Sequence, residues 1–473
     1  MTNRRQLLQA SFATGVTAFV AQPSFAAAKQ IVAGSPWLRA AQIVARIKPP
    51  VFQKRDFPVT DFGGVGDGYT ACTDAFARAV EACHSAGGGR VTVPAGAWLT
   101  GPIHLKSNVN LHLEKDATIR FSTNPADYLP LVFTRWEGVE LMNYSPLIYA
   151  FEQQNIAVTG DGTLDGQADD VHWWPWKGKK EFGWREGAPN QAAARARLFA
   201  LGEAGTPVEY RIFGEGSYLR PGFFEPVRCR NVMIEGVTVR NVPFWQIHPI
   251  LCTNVIARGL TLDAPGPNTD GCDPESCRDV LIDNCSFNTG DDCIAVKSGR
   301  NGDGRRVNVP SENIVIRNCR MKNGHGGVAI GSEISGGARN IFAEDCHMDS
   351  PELGHALRLK NNAMRGGLLE HFYFRRIVVG EVAHAVLTID FNYEEGARGS
   401  FTPVVRDVQV DTVVSGKSKY AIDAQGFENA PIYDVALRNC DFQNVAQPNI
   451  VKNVRGLSLR QVKINGKLAT AAT

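Results

Sequence analysis

The sequence predicts an all-β chain, a parallel β-helix closed at its N-terminal end by one capping helix. Three observations predict it. First, a strand-like phrase recurs from Asn231 onward. It is clearest as Asn313-Ile-Val-Ile-Arg-Asn-Cys319 and Asn340-Ile-Phe-Ala-Glu-Asp-Cys346, with close copies at 279–285 and 434–440. Second, looser copies begin at Asn231, Asn254, His371, Thr402 and Gly456, and in every copy the residue six places on is apolar or cysteine. The starts fall 22 to 34 residues apart, too irregular for propeller blades but ordinary for coils with loops of variable length. Third, apolar residues alternate within each phrase, as in short strands with one buried face, and Gly, Asn and Asp fall between phrases as turn residues. Short strands that cannot bury a face alone must stack in series, which sets successive rungs about 4.8 Å apart.

The remaining elements follow from the N-terminus. Residues 1–28 read as a twin-arginine-like export signal. Arg4-Arg5 precede an apolar run from Leu7 to Val20, and Ala26-Ala27-Ala28 offers a small-residue cleavage site. That run is too short to span a membrane, so the expected destination is the periplasm or the exterior, without a membrane anchor. Residues 29–56 are expected to form a linker and 57–473 the β-helical domain. Thr70 or Thr73 can cap a helix over 73–85 that gathers Phe76, Val80 and Cys83 on one face. Laid over the end of the solenoid, it covers core and backbone otherwise left open there. A Trp-rich insertion at about 167–225 interrupts the repeat, with Trp173, Trp174, Trp176, Trp184 and a helical Ala/Arg run near 191–201. Its tryptophans are expected mainly to anchor it, and the insertion can wall off one end of a groove.

The formal charge is +2, and Arg4 and Arg5 account for the surplus, so affinity for an acidic polymer must come from local cations. No basic stripe with interleaved aromatics points to nucleic acid. A monomer is expected. Of the eleven cysteines, Cys285, Cys319, Cys346 and Cys440 hold the inward position, where a thiol acts as a small apolar filler. Cys272 and Cys277 are near enough in sequence to pair, and no paired CxxC spacing suggests a metal.

Four clusters carry the chemistry: Asn268-Thr269-Asp270, Gly290-Asp291-Asp292, Gly324-His325-Gly326 and Arg358-Leu359-Lys360. Residues 290–298 and 324–332 align without a gap, which puts Asp291 and His325 at one station of consecutive rungs. Ile294 and Val296 alternate with Ala295 and Lys297, as Leu357 and Leu359 do with Arg358 and Lys360. Lys297, Arg358 and Lys360 are therefore expected on the outer face, exposed in a groove. A lone Asp beside Gly is usually turn chemistry, and Asp303 between Gly302 and Gly304 reads that way. The adjacent pair Asp291–Asp292 does not, because neighbouring carboxylates repel. Three close carboxylates cannot all ionise easily, so one should keep its proton near neutral pH. Arg and Lys together suit a carboxylate ligand. The set fits acid–base cleavage of an acidic polysaccharide. An inverting hydrolase places its acid and base roughly 6.5–9.5 Å apart, about two rungs.

In this order, and with Asp61-Phe62-Gly63, Gly66-Asp67-Gly68, Ser107-Asn108-Val109, Pro243-Phe244-Trp245 and His248, the clusters resemble the polygalacturonases of glycoside hydrolase family 28, in particular their bacterial exo-acting branch. The resemblance runs from about residue 57 to 465. It implies a right-handed, single-stranded parallel β-helix that hydrolyses α-1,4-galacturonosyl bonds of pectin or polygalacturonate with inversion, without metal or other cofactor. It implies Asp291 as general acid, Asp270 and Asp292 as activators of the water, His325 as a proton tuner or shuttle, and Arg358 and Lys360 as the grip on a galacturonate carboxylate. Lys297, His248 and Asn268 are expected to line the substrate. The long insertion favours exo-action, with rhamnogalacturonan as the alternative polymer. One rival is a calcium-dependent pectate lyase on the same fold, with Asp270, Asp273 and Glu275 as an oxygen-rich ion site. The other is a non-catalytic glycan-binding protein, which has no need of three carboxylates facing a polyanion.

Overall fold

The computed structural model describes residues 35–470; the expected export signal, 1–28, lies outside them. The repeat is built on left-handed corners. Asn231, Asn254, Asp279, Asn313 and Asn340, which open five phrases, have φ between 57° and 60°. Short polar side chains that bond locally make that conformation tolerable. Here they also bond from rung to rung. Asn155 Nδ2 donates to Asn108 Oδ1 (3.0 Å), Asn231 to Asn155 (2.8 Å) and Asn254 to Asn231 (2.9 Å). After the corner the strands run parallel in strict register, so Val280, Ile314, Ile341 and Phe372 stack on four successive rungs. Cys285, Cys319 and Cys346 point into the core as expected, and all eleven cysteines are buried and free, Cys272 and Cys277 included.

The copy read from Thr402 is out of register. Its corner is Asp407, at φ 55°, and Val408 pairs with Phe372. The next corners of these two rungs are turned by Arg376 and Thr412, at φ 50° and 53°, inside strands of 14 residues. Neither is a residue type that marks a turn in sequence, so these second corners carry no punctuation there.

One 26-stranded sheet, parallel but for a final antiparallel pair at Lys463–Ile464 and Lys467–Leu468, wraps most of the coil. The wall that carries the site is a six-stranded sheet that includes Ile294–Val296, Gly324–Ile330, Leu353–Lys360 and Ala385–Asp390. Single bridges Phe224–Ile247–Cys272–Ile294 join it to a three-stranded sheet on the N-terminal side. The architecture is a right-handed parallel β-helix.

Helix α2 (Thr73–Ser85) seats Phe76, Val80 and Cys83 on the core of the first rungs. Neither threonine caps it. The N-cap is Cys72 without a side-chain bond, while Thr70 Oγ1 donates to Asp67 and Thr73 Oγ1 accepts from the Gly101 N–H, both at 2.7 Å. The expected linker, 29–56, instead contains α1 (Pro36–Arg46). Its Ala40 and Ile43 pack on an outward apolar column formed by Met233, Ile256, Leu281, Val315, Phe342 and Tyr373. Left bare, that column would be an exposed apolar stripe across six rungs. In the insertion, Trp173 packs edge-on to Tyr128 and Trp174 Nε1 donates to Val242 O (3.0 Å), so these two rings act as anchors, while Trp184 Nε1 donates to Ala188 O (2.9 Å) within the insertion itself. Helix α3 (Ala192–Glu203) follows them. Among the described residues no helix is long and apolar enough to cross a membrane.

Candidate active site

Asp270 and Asp292 sit on adjacent rungs, because the Gly271 N–H bonds to Asp292 O (3.0 Å) and the Cys293 N–H to Gly326 O (2.8 Å). Asp291 and His325 share a station, as the alignment required. The His325 N–H donates to Asp291 O (3.1 Å), and His325 Nδ1 lies 2.9 Å from Asp291 Oδ1. The glycines of this motif make room. A Cβ on Gly326 would come 2.8 Å from Asp292 Oδ1, and one on Gly324 2.4 Å from Asp291 O.

One oxygen from each of Asp270, Asp291 and Asp292 lies within 4.8 Å of the others. This is tighter than the two-rung spacing expected from sequence, since Asp270 and Asp292 are one rung apart. It is also the span that one water bridges with two hydrogen bonds of about 2.8 Å.

Two of the three carboxylates are buried and held by cations. Lys297 Nζ donates to Asp270 Oδ2 (3.3 Å) and Glu333 Oε2 (3.4 Å). Lys360 Nζ donates to Asp292 Oδ2, and Arg358 Nη1 lies 3.7 Å from Asp292 Oδ1. The Oδ1 atoms of Asp270 and Asp292 are buried without a hydrogen-bond partner among the described residues. Burial, opposed by Lys297 and reinforced by the charges of Asp291 and Asp292, pushes Asp270 up to about 7. The proton that three crowded carboxylates must retain therefore rests on Asp270.

Asp291 stands at the rim, 20% exposed beside a His325 that is 64% exposed. Burial raises its carboxyl, but His325, Lys360 and Lys297 outweigh that and hold it well below the ordinary range. The same hydrogen bond and charge raise His325. At rest the proton of this pair is on the imidazole.

The three cations face outward as expected but are not exposed: Lys297 is 3%, Lys360 5% and Arg358 16% accessible. Loops fold back over the strand face. Lys297 Nζ lies 4.1 Å from the Trp245 ring centroid, and the Tyr393 ring covers Lys360 and Arg358 at 5.3 and 5.5 Å. Glu394 and Glu395 pin that loop to Arg300 and Arg365.

His248 is not exposed in the cleft. It is buried between Glu225 (3.3 Å) and Glu275 (2.8 Å). Burial lowers it, yet the two glutamates prevail and push it up to about 9. Glu275 also takes Arg135 at 3.1 Å, so Asp270, Asp273 and Glu275 are not assembled as an ion site. Asp273 is fully buried, its oxygens lack hydrogen-bond partners among the described residues, and burial raises it well above the carboxylate range. Asp303 is no plain turn. It lies buried in α4 (Asn301–Val307) and takes Arg211 (2.8 Å) and Arg306 (2.9 Å). Asn268 does reach the site, with Nδ2 3.4 Å from Asp291 Oδ2.

Sequence reasoning missed Glu333, Tyr393, Lys177 and Arg220. Glu333 had a signal, since the alignment of 290–298 on 324–332 stops one residue short of it. The others come from loops with no periodicity to place them.

A parallel β-helix with a rim acid–imidazole pair beside two lysine-held carboxylates defines a glycoside hydrolase of the acid–base type. The chain belongs to the glycosyl hydrolases family 28, whose profile matches residues 215–463. A probable polygalacturonase of Vitis vinifera is 30% identical over 85% of this chain and 77% of its own. An exo-poly-alpha-D-galacturonosidase of Dickeya chrysanthemi is 27% identical over 71% of this chain and 57% of its own. The crystal structure of a hyperthermoactive exopolygalacturonase from Thermotoga maritima superposes with a TM-score of 0.89 at 45% identity, covering 91% of this chain and 96% of that one.

Proposed function

We propose that this protein hydrolyses α-1,4-galacturonosyl bonds of polygalacturonate from a chain end, in a single displacement. The observation that carries the reading is the pair of buried, unpartnered oxygens, Asp270 Oδ1 and Asp292 Oδ1, set beside Asp291 and held from behind by Lys297 and Lys360. Those two oxygens orient a water, the protonated Asp270 by a hydrogen bond, and Asp292 receives the water's proton as it attacks the anomeric carbon. Asp291, at the rim, protonates the departing glycosidic oxygen, resupplied along the 2.9 Å contact with His325. The carboxylates stand closer than the roughly 6.5–9.5 Å usual for inverting hydrolases. Their span of up to 4.8 Å still admits one bridging water, so water attacks directly, no covalent sugar–enzyme intermediate forms and the anomeric centre inverts. Arg358 and Lys360 grip the carboxylate of the galacturonate being cleaved, which a neutral sugar could not replace.

Exo-action is supported by the insertion, whose Lys177 and Arg220 both bond Asn268 next to Asp291, bringing a wall to one end of the cleft. Export to the periplasm or beyond is part of the proposal, on the strength of Arg4-Arg5 and the apolar run after them. The test is digestion of de-esterified polygalacturonate with excess chelator, following reducing ends, unsaturated product and product size together. Monomer with reducing ends and no unsaturated product is expected. Unsaturated product that appears only with calcium would make the protein a lyase. Activity confined to rhamnogalacturonan fragments would change the polymer.

A further inference from the structure

We infer that Lys177, carried by the insertion, binds the carboxylate of a second galacturonate residue, on the side of Asp291 opposite Arg358 and Lys360. The inference rests on the polygalacturonate reading above. Lys177 Nζ and Arg220 Nη2 converge on a single acceptor, Asn268 Oδ1, at 2.7 and 2.8 Å. Buried cations are ordinarily held by acids. Here a fully buried guanidinium and a partly buried ammonium share one neutral amide oxygen. Arg220 spends its other donors on Gln191 Oε1 and the carbonyls of Pro243 and Pro267, and among the described residues no carboxylate is in ion-pair contact with either cation. Arg220 is fully buried and fixes Asn268. Lys177 is only partly buried, and an ammonium has three donors, of which one is used on Asn268.

Position gives the pair its meaning. Asn268 Nδ2 lies 3.4 Å from Asp291 Oδ2, so the cations stand next to the rim acid on the N-terminal side of the cleft. Arg358 pairs in register with Ala329, which lies one rung beyond Ala295, so the other cationic pole stands on the C-terminal side. A galacturonate chain carries a carboxylate on every sugar, and a bond cut between those poles presents one to each. Burial lowers the proton affinity of Lys177, a penalty that an incoming carboxylate relieves. The segment that walls the cleft thus also reads the charge of the sugar placed against it.

The test uses the full-length enzyme and its Lys177→Met and Lys177→Arg variants, with trigalacturonate and its methyl ester as substrates. Loss of one charge-assisted contact raises KM for trigalacturonate roughly 10–100-fold in Lys177→Met, with kcat and the pH profile little changed. The variant also loses preference for the free acid over the ester, and Lys177→Arg restores most of it. A wild-type KM in Lys177→Met, at unchanged melting temperature, would overturn the inference. So would a lowered kcat with a shifted pH profile at constant KM, which would assign Lys177 to supporting Asn268 and Asp291. Wild-type enzyme inert on trigalacturonate would instead remove the reading beneath it.

Discussion

Asp291 and Asp292 are neighbours in the chain and opposites in surroundings. Asp292 is fully buried, and its carboxylate meets Lys360 and Arg358. Asp291 is one-fifth exposed and meets an imidazole that is mostly in solvent. The difference separates two tasks that one carboxylate cannot perform at once. A base that shares a water must stay fixed and sheltered, while an acid must reach a substrate oxygen and be reprotonated from outside. Two consecutive residues can do both because the chain turns a corner between the rim and the strand.

The comparison is broken most severely by deleting each charge in turn. Asp291→Asn is expected to cut kcat by about 10²–10⁴ with little change in melting temperature, since it removes a general acid at an accessible position. Asp292→Asn should match that loss of activity and also destabilise the fold by about 3–5 kcal/mol, because Lys360 is left buried without its partner. Kinetics with thermal unfolding on both variants distinguishes them. Equal stability loss would mean that the two carboxylates are held alike.

His325→Gln sharpens the exposed half. With the imidazole gone, the proton of the pair falls back to the carboxyl range, so the alkaline limb of kcat/KM should move to lower pH and kcat fall about tenfold or more. An unmoved limb would detach His325 from the proton supply. Gly326→Ala probes the sheltered half, since its Cβ would come 2.8 Å from Asp292 Oδ1. A drop of about tenfold in kcat at near-constant KM is expected, because misplacement by a fraction of an ångström is felt in the chemical step.

The smallest effect is on stability. The carboxyl of Asp270 is raised to about 7 in the folded protein from an ordinary 3.8. Its contribution to stability is present below about pH 4 and is lost as pH rises through 7, where the buried group must ionise. Asp270→Asn cannot ionise, so its melting temperature should gain on wild type between pH 4 and pH 8. A gap that does not grow with pH would place the retained proton elsewhere.

The coil and the catalytic station were legible because both depend on strictly periodic features. A left-handed Asn or Asp opens most rungs, a small apolar residue such as Cys319 lies six places on, and the gapless alignment of 290–298 with 324–332 fixes Asp291 against His325. Register failed at Thr402, five residues before the true corner at Asp407, and the second corners turned by Arg376 and Thr412 lack the Asn, Asp or Gly that marks them elsewhere. Exposure was misjudged for Lys297 and Lys360, because alternation tells which face a side chain leaves from and not what folds over it. Trp245 and Tyr393 do that from other parts of the chain. The burial of His248 was unreadable for the same reason, since Glu225 and Glu275 that enclose it lie 23 and 27 residues away.

The measurement that bears most directly on the account is the anomeric configuration of the first sugar released, followed by proton NMR before mutarotation. A water held by Asp270 and Asp292 and an acid at Asp291 predict that α-linked galacturonate appears initially as the β-anomer. Initial release of the α-anomer would require a covalent intermediate and would contradict the assignment of Asp270 and Asp292 to a water.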